Sequence, residues 1–112
     1  MTKLERFEKY VRKWQKKFSL DNYRIYVLQG DFTHSAAQVR IDNSQVMAHV
    51  ELGKDCEAEY LEWAAFHEVS HILLSVISDV HKSPRFFSDE VVNSKEHEII
   101  NRLERLLLGV EK

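Results

Sequence analysis

Residues 57–80 read EAEYLEWAAFHEVSHILLSVISDV, and this stretch decides the architecture. Leu61, Trp63, Phe66, Val69, Ile72, Leu73, Val76 and Ile77 fall on every side of a helical wheel. A helix that is apolar all round runs through the middle of a domain, so a helix from Cys56 to about Val80 should form the centre of this one. Within it stands His67-Glu68-Val69-Ser70-His71, the pattern H-E-x-x-H. Residues four apart on a helix differ by about 40° and one turn of rise, so both imidazoles project from one face and can converge on one ion. Glu68 lies about 100° from His67, too far round to be a third ligand but within reach of a water on such an ion. Three ionisable groups in the most apolar helix cost about 2 kcal/mol or more each to bury without partners, which favours a metal site over ordinary core histidines.

Working outward, the chain ahead of this helix changes period twice. In LERFEKYVRKWQKKFSL, Leu4, Phe7, Val11, Trp14 and Phe18 draw one apolar stripe along a surface helix. Arg6, Lys9, Arg12, Lys13, Lys16 and Lys17 occupy its other face. After Asp21-Asn22, the alternation in YRIYVLQG predicts a strand, ended by Gly30-Asp31. Two further alternating runs, around 36–41 and 46–52, are joined by the turn formers Asp42-Asn43-Ser44 and predict a hairpin. Gly53-Lys54-Asp55 then breaks the sheet, with Asp55 as the expected N-cap of the central helix. Downstream, HKSPRFFSDE reads as a loop. Helical spacing returns from about Ser88 to Gly109, with Val92, Ile99, Leu103, Leu106 and Val110 on one face. The expected fold class is α+β: an N-terminal helix, a small and mostly antiparallel three-stranded sheet, the site-bearing helix and a closing helix, in a single domain over residues 1–112.

Composition narrows the function classes. With 112 residues, 44% hydrophobic and 30% charged, the chain matches one globular core. Three glycines and one proline argue against a many-turned all-β sandwich. Sixteen basic and eighteen acidic side chains leave a formal charge of −2, so no global field directs the protein to nucleic acid or an anionic membrane. The single cysteine, Cys56, cannot form an intramolecular disulfide and fits a reducing compartment. The charged N-terminus, MTKLERFEKY, has no apolar core of a secretory leader, and no stretch reads as a membrane span. A cytoplasmic location is the expectation.

A catalytic zinc keeps three protein ligands and one open position, so a third ligand is required. Glu90, Glu96, His97 and Glu98 are the candidates. The apolar stripe of the closing helix is centred near Leu103, and Glu96 lies seven residues before it, at i−3 from Ile99 and i−4 from Ile100. That phase turns Glu96 inward and puts Glu98 on the opposite face, with His97 about 100° to one side as the runner-up. The expected zinc ligands are thus His67, His71 and Glu96.

At this point the chain resembles the minimal gluzincin metallopeptidases, among them small metallopeptidases of phages and bacteria. H-E-x-x-H on a buried helix, a carboxylate in E-H-E-I-I-N-R-L on the next, and a preceding helix and three-stranded sheet carry the likeness. It is also similar to the SprT-like proteases through Trp14, Phe18 and Leu20, which match W-x-x-x-F-x-L. The SprT-like likeness implies a third histidine and would select His97. Both imply a zinc-dependent hydrolase of peptide bonds, with a zinc-bound water activated by Glu68 as general base. They also imply that the strand around Met47 to Leu52 is the edge to which an extended substrate peptide adds.

The competing class is a catalytically silent zinc module that holds nucleic acid or a protein partner through the basic first helix. A structural zinc site usually closes with four protein ligands, and Cys56 is three turns from His67 on the same helix, so an open position is favoured. His49, Tyr60, His81 and Arg85 are candidate partners for a developing oxyanion, and Asn101 for a ligating imidazole. Cys56 reads as structural. Substrate identity and oligomeric state are not legible.

Overall fold

The computed structural model describes residues 1–81 together with His97 and Ile100. Helix α1 (Lys3–Lys17) is followed by strands β1 (Arg24–Gln29), β2 (Ala37–Asp42) and β3 (Met47–Leu52), a 3-10 turn (Ala58–Tyr60) and helix α2 (Leu61–His81). The expected loop at 82–87 and most of the closing helix lie outside the described residues; His97 and Ile100 are both helical.

Helix α1 begins at a capping box. Glu5 N donates to Thr2 Oγ1 (3.1 Å) and Thr2 N donates to Glu5 Oε1 (3.0 Å), which supplies partners to amides that the first turn would otherwise leave open. Phe7, Val11 and Trp14 are buried along its inner stripe, as the spacing predicts. The helix ends in a Schellman turn: Leu20 N donates to Gln15 O (2.9 Å) and Ser19 N to Lys16 O (3.1 Å). Ser19 supplies the required left-handed residue with φ 56°, a position that glycine occupies at less steric cost. Buried Gln15 then seals the passage into β1 by donating from Nε2 to Leu20 O (3.1 Å) and Tyr23 O (2.9 Å).

The three strands form one sheet in the order β1-β3-β2. The hairpin is present, with β2 antiparallel to β3 from Ala37 opposite Leu52 to Asp42 opposite Met47. Asp42 stabilises the turn by accepting from Ser44 Oγ (2.6 Å) and Gln45 N (3.3 Å). Strand β1 joins β3 in parallel, from Arg24 beside Met47 to Gln29 beside Leu52, so the sheet is mixed. One expectation is corrected: residues 47–52 are the central strand, hydrogen-bonded on both sides, and cannot receive a peptide. Among the described residues, β1 and β2 each pair only with β3 and are the two edges, and β2 is the one over which α2 packs. The sequence showed the hairpin but not that β3 returns between β2 and β1, because alternation fixes faces and not neighbours.

Ile25, Ala48, Val50 and Leu52 turn one sheet face to the helices. Helix α1 packs over β1, and α2 packs beside α1 and over β2. Trp14, Phe18 and Phe66 lock the two helices, with ring centroids 4.8 Å apart for Trp14 and Phe66 and 5.6 Å for Trp14 and Phe18. The edge-on contact of Trp14 with Phe66 adds about 1 kcal/mol beyond area burial. Helix α2 starts later than expected: the 3-10 turn precedes it, the cap position belongs to Glu57, and no side-chain cap is formed there, so Asp55 is not the cap. Gly53 is required by close approach, since a Cβ there would lie 2.9 Å from Ala36 O and closer still to Ser35 O. The same contact aligns Gly53 N to donate to Ala36 O (2.7 Å), pinning residues 35–36 against the end of β3.

Replacing Ser19 with glycine should stabilise the protein by roughly 0.5 to 1 kcal/mol, because relief at positive φ exceeds the extra freedom of the unfolded chain. Urea denaturation should show a higher midpoint for Ser19→Gly and a lower one for Ser19→Val.

Candidate metal centre

Helix α2 places His67 and His71 on one face, one turn apart, with ring centroids separated by 5.1 Å. Each ring is partly exposed, while Phe66, Val69, Ser70 and Ile72 on the adjoining faces are fully buried. The two rings therefore surface at the edge of the core. Glu68 is 7% exposed, a carboxylate set among apolar side chains beside the histidine pair.

The third member is His97. Its ring centroid lies 4.7 Å from that of His71 and 6.0 Å from that of His67, and one nitrogen from each of the three rings falls within 4.8 Å of the others. Small side-chain rotations would let a single ion bridge all three. Ile100 is fully buried, and a residue three positions before it on a helix shares its side, which carries His97 to the cluster. The sequence-predicted ligand Glu96 lies outside the described residues, as do Glu90 and Glu98. Among the described residues, the group suited to a metal is His67, His71 and His97.

Burial, and then the neighbouring His67 and His97, lower the pKa of His71 to about 4 from its ordinary 6.5. Its imidazole is therefore neutral at physiological pH, which is the form that ligates a metal. Three imidazole nitrogens suit zinc, a borderline-soft ion that accepts histidine donors and leaves a fourth position open in such a set. The donor chemistry thus fits the expected cofactor.

These groups line a groove of about 500 Å³ together with Ser35, Ala37, Gln38, Val39, Ile41 and Ser75. The groove lies between α2 and the edge of β2, with Glu68 and the three histidines along one wall. Other candidates separate. His49 stacks on Tyr26 (5.1 Å between centroids) on the sheet face away from the helices. Tyr60 is exposed beside Trp63 near the start of α2. Arg85, Asn101 and the side chain of His81 lie outside the described residues. Cys56 is buried, and burial pushes its thiol up from the ordinary range, consistent with a structural role. On the basic face of α1, Arg12 bonds Glu8 Oε2 (3.0 Å) and Ile25 O (2.7 Å), and Lys13 pairs with Glu62 (2.5 Å). Part of that charge is committed to the fold. No described helix is long and apolar enough to cross a membrane.

No family model matches the chain, and no curated protein matches it. Among solved structures, the metallopeptidase zymogen of Methanocaldococcus jannaschii jannalysin is similar, with 16% identity, a TM-score of 0.41, and coverage of 87% of this chain and 89% of that one.

The lowered pKa of His71 makes the stability of the metal-free fold depend on pH. Between about pH 4 and 6.5 the unfolded chain binds a proton at this residue that the metal-free folded chain does not, so stability falls as the pH drops through that window. Urea midpoints of chelator-treated protein should decline from pH 6.5 to 4, and the decline should be shallower in His71→Gln.

Proposed function

We propose that this protein is a zinc-dependent metallopeptidase. The observation that carries the proposal is the convergence of His67, His71 and His97 beside buried Glu68, in a groove bordered by the edge of β2. His67, His71 and His97 would hold the ion, with His97 taking the role that the sequence reading gave to Glu96. Zinc held by three neutral ligands supplies a Lewis acid that lowers the pKa of water toward about 7 and polarises a carbonyl.

The protein residues do the rest. The rim of β2 presents backbone amides and carbonyls to an extended peptide, which can add as a further strand and lie across the groove. Addition fixes the peptide carbonyl beside the histidine cluster without a deep pocket, which a chain of this size could not enclose. Glu68, directed apart from the histidines on α2, takes a proton from the attacking water and delivers it to the leaving amine nitrogen. Its apolar setting keeps bulk water from competing for that proton.

Elemental analysis of the purified protein should find one zinc per chain, and His67→Ala should abolish it; a folded His67→Ala protein that keeps one equivalent rules the site out. Glu68→Gln should retain the metal and lose peptide cleavage by at least about a hundredfold. Loss of zinc in a folded Glu68→Gln protein overturns the assignment of its role. For the third ligand, zinc affinity should fall at least about tenfold in His97→Ala and change little in Glu96→Ala. The opposite pattern returns the position to Glu96.

A further inference from the structure

A second cavity, of about 390 Å³, opens beside the groove, lined by Thr33, Ser35, Ala36, Asp55, Cys56, Glu57, Tyr60 and Trp63. Ser35 borders both spaces, so they adjoin along the chain that enters β2. Trp63 lines the second cavity, and its ring lies 5.4 Å from that of His67, which lines the groove. Tyr60 is 51% exposed here, a large aromatic surface next to a candidate active site. The charged side chains that line this end of the groove are acidic. Asp55 and Glu57 line it, and Glu57 bonds the Glu59 carboxyl and raises its pKa. Of the nearby lysines, Lys3 donates to Cys56 O (2.8 Å) and Lys54 pairs with Asp31 (2.5 Å).

We propose that this cavity is a substrate subsite for a basic side chain, arginine above all, one or two residues from the scissile bond. The proposal rests on the peptidase reading and names the substrate class of that site. A peptide added along β2 passes Ser35 and Ala36 as it leaves the strand, which brings one of its side chains over the cavity. Aromatic faces at Tyr60 and Trp63 accept the flat guanidinium, and the carboxylates of Asp55 and Glu57 accept its N–H groups. An acidic side chain would meet repulsion at the same place, so selectivity comes from rejection as well as attraction. The position beside His67 separates this subsite from a general acidic surface: an occupant is held within one helical turn of the metal ligands.

Two measurements on the zinc-loaded full chain test it. In the first, acetyl-arginine-amide is titrated against the neutral isostere acetyl-citrulline-amide while the Trp63 and Tyr60 side-chain resonances are followed. Arginine should shift them at least about fivefold more tightly than citrulline, and Glu57→Gln and Asp55→Asn should remove that difference. Equal binding of the two probes, or a preference that survives both substitutions, overturns the subsite. In the second, kcat/KM is compared for peptides carrying arginine, citrulline or glutamate at each position flanking the cleaved bond. Arginine should be preferred at one position and glutamate disfavoured there, with Glu57→Gln bringing the arginine value down to that of citrulline. If no peptide is cleaved while arginine binds in the charge-dependent manner, the subsite stands and the peptidase reading fails. Cleavage indifferent to all three side chains leaves the peptidase and removes the subsite.

Discussion

The structure depends on ionisable side chains carried by its most apolar element. Helix α2 is the wall of the core, and it holds Glu68 and two imidazoles on the side where that wall meets water. Burying such groups is costly unless they find partners, and the cost falls on the same helix that organises the packing of α1 and the sheet. Stability and chemistry are therefore tied. Phe66 meets Trp14 one residue before His67, so whatever fixes the aromatic contact also fixes the rotation of the histidine face.

Much of this was legible in the sequence. The H-E-x-x-H spacing placed His67 and His71 together because helical rise and twist are nearly invariant. The stripe of α1 and the hairpin at Asp42-Asn43-Ser44 followed from period and turn chemistry. What the sequence withheld were matters of neighbourhood. Alternation in MAHVEL put Ala48, Val50 and Leu52 on the inner face but could not say that β1 would lie alongside in parallel, so the edge was assigned to the wrong member of the hairpin. The start of α2 was placed early because the 3-10 turn at Ala58–Tyr60 shares the composition of a helix.

For the proposed third ligand, phase arithmetic leaves two neighbouring positions close together. On an ideal helix, positions 96 and 97 flank the direction of residue 100 by about 40° and 60° on opposite sides. A stripe centred on Leu103 favoured 96. Buried Ile100 and the ring distances from His97 to His67 and His71 favour 97. A difference of this size is smaller than the reach of either side chain, so helix phase alone does not separate the two. The subsite residues gave a weaker signal still, since Asp55, Glu57 and Tyr60 read as a helix start until the fold set them opposite Ser35.

An open strand is also a hazard for the molecule that carries it. The row of amides and carbonyls on β2 that suits a substrate suits equally the β2 of another copy, and edge-to-edge pairing of that kind leads to aggregates. Six residues, AQVRID, contain this risk with the means that sheet proteins use elsewhere: the strand is short, it ends on Asp42, and Arg40 stands at its middle with most of its side chain in water. Two copies brought together antiparallel at this rim would bring Arg40 near Arg40. The protein thus tolerates an exposed template by charging it, and the same charge would bias which passing peptides can settle there.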